Sequence, residues 1–536
     1  MSVMLPLTIE ILLLETSEVR LELFRLIDIF LYQIMAWAAR RWLAHTTVRG
    51  EEAARPRTYS DGSHSLPKTL FEKIWNRHVI EGDDEASLLL IDRILLHERT
   101  GGVALKSLAE TGRKIATPSH VFVTMDHVVD TLPGRTDDTL MPTGRDFITT
   151  TRREALAAGL TIFDIDDPRQ GIVHVISPEQ GIVLPGLTLV CPDSHTCSQG
   201  ALGALAWGIG STEAEHALAT GSLRVNRPAT MRITVNGALQ PGVTAKDLAL
   251  HIIRRLGSSG AKGSAVEFAG SAVDDLEVEG RMTLCNMAAE LAAFTAVIAP
   301  DQKTIAFLQD RPFAPKGEAW ERAMRHWQDL RSDPAAEFDT EYTFDACEAV
   351  PMVTWGTSPD QAVPLVGSVP DVLAATGDEA EARARDYMNV MPGTAVSDLS
   401  ITAAFIGSCT NSRLSDLRRA ASVLKGRRIA SHVRAICVPG SGQVKAAAES
   451  EGIDKLFRDA GFEWREPGCS MCFFAGGESF AAGDRVISST NRNFERRQGP
   501  GTRTHLASPE TVAASAVLGR IGGVADLPPL QRETDA

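Results

Sequence analysis

The chain has 536 residues and a net charge of −14 at pH 7, with 44% hydrophobic and 23% charged residues. This length predicts about three domains, and the acidic balance argues against a general nucleic-acid binder. It leaves an anionic small-molecule substrate open, since a few buried arginines set the field inside a cleft. Eight cysteines in so long a chain do not make a disulfide scaffold, and they indicate a reducing, cytoplasmic setting.

Residues 1–67 are predicted to be an N-terminal extension of unknown role. The uncharged apolar run at 29–39 is too short to span a bilayer, and no basic flank typical of a signal peptide precedes it. We therefore expect no stable membrane insertion. Three interpretations remain open: a helix that contacts a partner, a peripheral membrane helix, or an upstream stretch outside the working protein. The first and third are favoured.

From residue 68 the pattern is α/β. Segments 68–80 and 85–98 have helical spacing, whereas "HVFVTMDHV" and "LTLVCPDSHT" predict short strands that end in polar clusters. Such clusters are site candidates, because ligands of α/β sheets bind where strands end. The predicted α/β domains are 68–228, with the MDH and CPDSHT motifs, 229–358, and 359–530, with the "GSCTNSR" and "EPGCSMC" cysteines.

Three cysteines predict a metal centre. Cys469 and Cys472 lie three apart in "EPGCSMC", and Cys409 follows an apolar run in "GSCTNSR". A structural zinc would need a second close pair of ligands, and no histidine lies between residues 433 and 504. Three thiolates without a fourth suggest an iron–sulfur cluster with one open iron. Spacing alone leaves this cluster, a zinc site and a structural thiol pair open.

Several motifs in order resemble the aconitase superfamily and, within it, the large subunits of 3-isopropylmalate dehydratases. They are "TMDHVVDT", "CPDSHTCSQGALGALAWGIGSTEAEHALAT", "GSCTNSRLSDLR", "EPGCSMC" and "STNRNFERRQGPGTRTHLASPE". The similarity runs from about residue 69 to residue 527. It implies three α/β domains packed around one [4Fe–4S] cluster per subunit, held by Cys409, Cys469 and Cys472 with one iron open to substrate.

The resemblance also implies roles for individual side chains. Asp126 and His127 would form an acid/base pair, and Asp193 and His195 would surround the cluster-bound water. The full catalytic set is Asp126, His127, His174, Asp193, His195 and Glu290. The substrate-binding set is His97, Ser194, Arg492 and Arg497. The residues around the cluster are Asn286, Asn411 and Asn491. Without the resemblance, most of these would be interpreted as solvated turns or satisfied core residues.

Two residues depart from the family pattern. Pro192 stands in the CPDSHT motif where the family more often has glycine, which removes a backbone donor and restricts the loop. Arg496 stands where the family usually has glycine. We expect Arg496 to point to solvent, although a bulky cation beside the site could shift specificity.

The implied function is the interconversion of 2-isopropylmalate and 3-isopropylmalate by dehydration and rehydration, a step of leucine biosynthesis. Alternatives are related hydro-lyases of methylmalate/citraconate, dimethylmalate or homoaconitate, an RNA-binding regulator formed without the cluster, or a cluster-bearing structural partner. Single-chain superfamily members carry a fourth, swivelling domain with a catalytic serine, which is expected to be absent here. The expected partner is therefore a small subunit carrying that domain, in a heterodimer or larger assembly, and the chain is expected to be inactive alone.

Overall fold

The computed structural model describes residues 66–83, 85–371, 379–474 and 476–529. The chain divides into two units, 1–65 and 66–536, and every described residue belongs to the second. The predictions made for the N-terminal extension therefore lie almost wholly outside the described residues. Within the described ranges, no helix combines the length and the apolar character needed to cross a membrane.

A five-stranded parallel sheet, in the order β5-β4-β3-β6-β7, organises residues 66–228. The same residues also form a smaller antiparallel sheet, in the order β1-β2-β8. The elements are α1 (Leu70–His78), β1 (Val79–Gly82), β2 (Ala86–Leu90), β3 (Arg93–His97), α2 (Gly101–Glu110), β4 (Val121–Thr124), α3 (Gly144–Ala157), β5 (Thr161–Phe163), α4 (Val173–Glu179), β6 (Thr188–Cys191), β7 (Leu205–Gly208), α5 (Ser211–Thr220) and β8 (Ser222–Asn226).

The helix expected over residues 85–98 is wrong, because that segment forms β2 and β3. Its leucines satisfy a helical spacing, but a short apolar run is equally compatible with strands. Asp92 lies in the short link between the two strands. Its carboxylate pairs with His78 Nε2 at 2.8 Å and accepts the Thr188 amide at 2.9 Å. Tertiary pairing with β4, β6 and β8 therefore decides the conformation. The other expected helix, within 68–80, is confirmed as α1.

Residues 229–358 contain a second parallel sheet, in the order β11-β10-β9-β12, and the first strand of a β-hairpin. The elements are β9 (Ala229–Asn236), α6 (Ala245–Leu256), β10 (Ser264–Ala269), α7 (Ser271–Asp275), α8 (Val278–Met287), β11 (Thr295–Val297), α9 (Gln302–Leu308), α10 (Glu318–Gln328), β12 (Thr340–Asp345) and β13 (Met352–Thr354). The start of α6 is fixed by a capping box in which Thr244 and Asp247 bond each other's backbone amides.

The remaining described residues build a third parallel sheet, in the order β17-β16-β15-β18-β19. The elements are β14 (Ala362–Pro364), which pairs with β13, α11 (Glu379–Met388), β15 (Ala403–Ile406), α12 (Leu414–Leu424), β16 (Arg434–Cys437), α13 (Gly442–Ser450), α14 (Ile453–Ala460), β17 (Phe462–Trp464), β18 (Arg485–Ser488), β19 (Arg503–Leu506) and α15 (Pro509–Leu518). The α/β class is thus confirmed. Each parallel sheet lies inside one predicted block, and the block boundaries stay a prediction.

The cores of these sheets meet at α4. Val173 and Ile176 pack into the core shared by the first two sheets, whereas Val175 packs into the core of the third sheet. His174, on the same short helix, is buried but faces polar partners instead. One helix therefore joins two apolar cores and carries a candidate site residue between them.

Gly200 sits at a close approach between the segment that follows the CPDSHT motif and β11. A Cβ at Gly200 would lie 1.7 Å from the Ala296 carbonyl oxygen, and the Gly200 carbonyl accepts the Ile298 amide at 3.0 Å. Gly200→Ala should therefore force the backbone apart and cost about 1–3 kcal/mol of folding free energy. We expect a lowered thermal unfolding midpoint. Gly210→Ala is the matched control, because its Cβ would meet nothing closer than 3.6 Å. Equal midpoints for the two variants would contradict the packing described.

Candidate active site

The three predicted thiols lie at the ends of strands in the third sheet. Cys409 follows β15, whereas Cys469 and Cys472 follow β17, and all three are buried. Ser408 and Ser470, beside these thiols, adopt positive φ angles of 84° and 49°. Such angles are uncommon for side-chain-bearing residues and mark tight turns that present the neighbouring sulfurs.

The described ranges contain one other group of side chains that could hold a metal ion. In the described ranges, the one set of at least three ligating side chains whose atoms converge within 4.8 Å is His97, Glu98, Asp126 and His127. The three cysteines are not part of this set. An iron–sulfur cluster is held by separate thiolates, and the three buried thiols at strand ends offer donors of that kind.

Side-chain donors surround the sulfurs, as an anionic cluster requires. Asn286 and Asn491 donate from Nδ2 to Cys409 Sγ at 3.2 and 3.4 Å. Arg497 Nη2 lies 3.7 Å from Cys472 Sγ. The Asn286 amide oxygen accepts from the Thr410 hydroxyl at 2.8 Å, which fixes the amide with its NH₂ group toward sulfur.

His127 lies between two carboxylates beside the thiols. Its Nδ1 is 2.6 Å from Asp126 Oδ1 and its Nε2 is 3.1 Å from Asp193 Oδ2. Burial alone lowers the pKa of His127, but the charges of Asp126 and Cys469 and the bonds to both carboxylates raise it well above its usual value. Cys469 Sγ is 3.8 Å from both Asp126 Oδ2 and His127 Nδ1. The predicted acid/base pair and the predicted ligands thus share one site.

His97 contacts the acid/base pair through the ring of His127. Its ring stacks on that of His127 with centroids 3.8 Å apart, and its Nε2 lies 3.2 Å from the Pro192 carbonyl oxygen. Burial and the charge of His127 lower the pKa of His97 to about 4, so its ring is neutral near pH 7. Pro192 has no backbone N–H group to donate, but its carbonyl oxygen can accept a hydrogen bond from His97.

Asp193 is the acceptor that connects the histidines. Besides His127, it accepts the His195 amide at 2.7 Å and lies 3.7 Å from His174 Nδ1. Burial raises the pKa of Asp193, but His174, His127 and His195 outweigh it and hold the pKa well below its usual range. His174 Nε2 lies 3.2 Å from the Thr196 hydroxyl, and burial lowers the pKa of His174 to about 4. An ionised carboxylate is thus held among imidazoles.

Glu290 joins His195 to an arginine from the third sheet. Its Oε1 is 2.9 Å from His195 Nε2 and 2.8 Å from Arg492 Nε. Burial raises the pKa of Glu290, but the bond to His195 and the charge of Arg492 bring it below its usual value. Arg492 Nη1 donates to the Ser194 hydroxyl at 2.9 Å. The second predicted arginine, Arg497, packs over Phe473 and Phe494 with its guanidinium carbon 4.7 and 5.1 Å from their ring centroids.

Asn411 makes its contacts away from the thiols. Its Nδ2 donates to Asp416 Oδ1 at 3.0 Å and to the Thr283 hydroxyl at 3.3 Å. It therefore ties the start of α12 to α8 rather than donating to a cysteine sulfur. Arg496 is exposed and has a φ angle of 66°. This left-handed conformation favours glycine, which explains why the aconitase superfamily usually has glycine at this position.

Glu98 is a site residue that the motifs did not reveal. Its buried carboxylate accepts the consecutive amides of residues 126–129, at 3.0 Å from Asp126, 2.8 Å from His127 and 3.2 Å from Val129, with Val128 also bonded. These bonds fix the turn that carries the acid/base pair. The available signal was an acidic residue directly after the apolar strand β3, next to His97.

Comparisons with known proteins show which family the chain belongs to. The sequence model of the aconitase family (aconitate hydratase) matches residues 72–519. The curated "3-isopropylmalate dehydratase large subunit 1" of Bradyrhizobium diazoefficiens is 50% identical over 461 residues, which cover 85% of this chain and 96% of that protein. Among solved structures, the holo-form of aconitase X from Thermococcus kodakaraensis aligns with a TM-score of 0.42 and 14% identity, covering 76% of this chain and 84% of that one. From the family match and the 50% identity, we conclude that the chain belongs to the aconitase family.

Proposed function

We propose that this chain is the large subunit of a 3-isopropylmalate dehydratase, which interconverts 2-isopropylmalate and 3-isopropylmalate in leucine biosynthesis. The observation that carries the proposal is the contact of Cys469 Sγ with Asp126 and His127, at 3.8 Å from each. This contact joins a three-thiol centre to an acid/base pair, as a metal-assisted dehydration requires. The substrate follows from the similarity to the 3-isopropylmalate dehydratase large subunit, which is 50% identical.

Cys409, Cys469 and Cys472 would hold one [4Fe–4S] cluster per subunit, with one iron left without a protein ligand. When bound, such a cluster supplies a Lewis acid for the hydroxyl and carboxylate of a diacid. Asn286 and Asn491 would orient the Cys409 sulfur through the hydrogen bonds that their side-chain amides donate to it. Their donors also offset negative charge on the thiolates.

His127 would deliver the proton that leaves with the substrate hydroxyl. Its raised pKa keeps the ring protonated at neutral pH, with Nδ1–H directed to Asp126 and Nε2–H toward Asp193. Transfer of the Nε2 proton to the departing hydroxyl gives water and leaves a neutral imidazole. Rehydration at the adjacent carbon returns the proton to Nε2, so the histidine is unchanged after one isomerisation.

Arg492 and Arg497 would bind the substrate carboxylates. The guanidinium fork matches two carboxylate oxygens, and both arginines are held by other contacts before substrate arrives. Arg492 is fixed by Glu290 and Ser194, and Arg497 by the rings of Phe473 and Phe494. Arg497 Nε is buried without a hydrogen-bond partner among the described residues, which leaves it free to donate to a ligand.

The proton on carbon requires a further base. We assign it to a serine on a small subunit, because the 50% identical relative is named a large subunit and the resembled superfamily uses a serine there. The assembly would be a heterodimer or larger and would act in the cytoplasm. Selectivity for the isopropyl group would then depend partly on residues of the other chain.

Removal of any one of the three thiols should prevent cluster assembly. After anaerobic reconstitution, we expect about four irons and four sulfides per wild-type chain and a large loss of both in Cys409→Ser, Cys469→Ser and Cys472→Ser. Iron and sulfide analysis measures this directly. Cys347→Ser is the control and should load normally, since Cys347 is exposed and outside the site. Full loading of any of the first three variants would remove that cysteine from the ligand set.

Activity should require both the cluster and the small subunit. We expect the loaded chain to be inactive alone and to dehydrate 2-isopropylmalate when mixed with its small subunit, as followed by absorbance of the alkene product. Methylmalate, dimethylmalate and homocitrate-derived acids form the comparison panel. A higher kcat/KM for one of these acids would replace the proposed substrate, and appreciable turnover by the chain alone would contradict the need for a small subunit.

A further inference from the structure

Lys246 is a fully buried lysine near the start of α6. Its side chain is inaccessible to solvent, although lysine is among the residues least often buried. A cation in the first turn of a helix also faces the positive end of the helix dipole, which disfavours it. The capping box of Thr244 and Asp247 holds the turn in place around it. Burial and the helix dipole both disfavour the charged form of this lysine, so we expect a compensating interaction.

The ammonium group reaches into the third sheet. Lys246 Nζ donates to the Ser489 carbonyl oxygen at 3.2 Å and to the Thr490 carbonyl oxygen, and it lies 3.6 Å from Met287 Sδ. Asn491 and Arg492 follow these carbonyls directly in the chain. Lys246 therefore holds the turn from which one residue reaches Cys409 Sγ and the other reaches Glu290.

No carboxylate of the described ranges forms an ion pair with Lys246. Burial lowers the pKa of Lys246 to about 8, and the negative charges that oppose this are chiefly those of Glu290, Cys409 and Cys472. Carbonyl oxygens alone compensate a buried ammonium only in part. The anionic groups of the candidate active site therefore favour the charged form of Lys246.

We propose that Lys246 is a positioning residue that holds the Ser489–Thr490 turn and supplies the buried positive charge that balances the cluster-binding thiolates. The proposal rests on the proposed function, because it takes those thiolates to carry an iron–sulfur cluster. Net charge and hydrogen bonding near a cluster set its reduction potential. A nearby positive charge stabilises the form that has gained an electron, so loss of this charge should lower the potential.

The test compares the reduction potential of the reconstituted cluster in wild type and Lys246→Met, measured by an anaerobic redox titration. Methionine keeps an apolar stem of similar length and removes the charge and the donors. We expect a shift to more negative potential, on the order of a tenfold change in the reduction equilibrium, which is about 59 mV for one electron. Arg254→Met is the matched control, because it removes an exposed positive charge from the same helix and should leave the potential unchanged.

An unchanged potential in a fully loaded Lys246→Met chain overturns this inference and leaves the proposed function intact. Failure of the wild-type chain to load a cluster overturns both. If Lys246→Met does not load, Lys246→Arg decides the matter, since it retains the charge. Restored loading with a potential near that of wild type supports the inference, and failure to load contradicts it.

Discussion

Buried charges at the candidate site are stable because each one contacts a group of opposite charge or a set of dipoles. Asp193 accepts the His195 amide and faces His127, whose pKa is raised, Glu290 bridges His195 and Arg492, and Glu98 accepts consecutive backbone amides. Leaving one of these carboxylates unpaired would cost several kcal/mol. The network therefore couples loops from separate sheets. If one loop moved away, a buried carboxylate on another loop would lose its hydrogen-bond partner.

The parallel sheets bring these groups together. Asp126 follows β4, Asp193 follows β6, Cys409 follows β15 and Asn491 follows β18, and in parallel sheets the carboxyl ends of strands share one edge. The helix α4 packs into two apolar cores and holds His174 at the junction. Apolar packing thus sets the distance between sheets, and the polar network sets the orientation of the side chains within it.

The sequence predicts the part of the site that lies in local motifs. The cysteines and the strand ends follow from short patterns with a known chemical use. The acid/base role of Asp126 and His127 is predicted only from the resemblance to the aconitase superfamily. The conformation of residues 85–98 and the role of Glu98 depend on partners far away in the chain, and a single short segment does not reveal them. Asn411 shows the opposite case, because it belongs to a motif yet bonds Asp416 and Thr283 instead of a thiol.

In the proposed enzyme, one iron without a protein ligand would face the side chains that bind the diacid. Mössbauer spectroscopy of the chain reconstituted with ⁵⁷Fe and assembled with its small subunit tests it directly. We expect 2-isopropylmalate to alter the spectrum of one iron in four and to leave the other three unchanged. A spectrum unchanged by saturating substrate, or one in which every iron shifts equally, would contradict it.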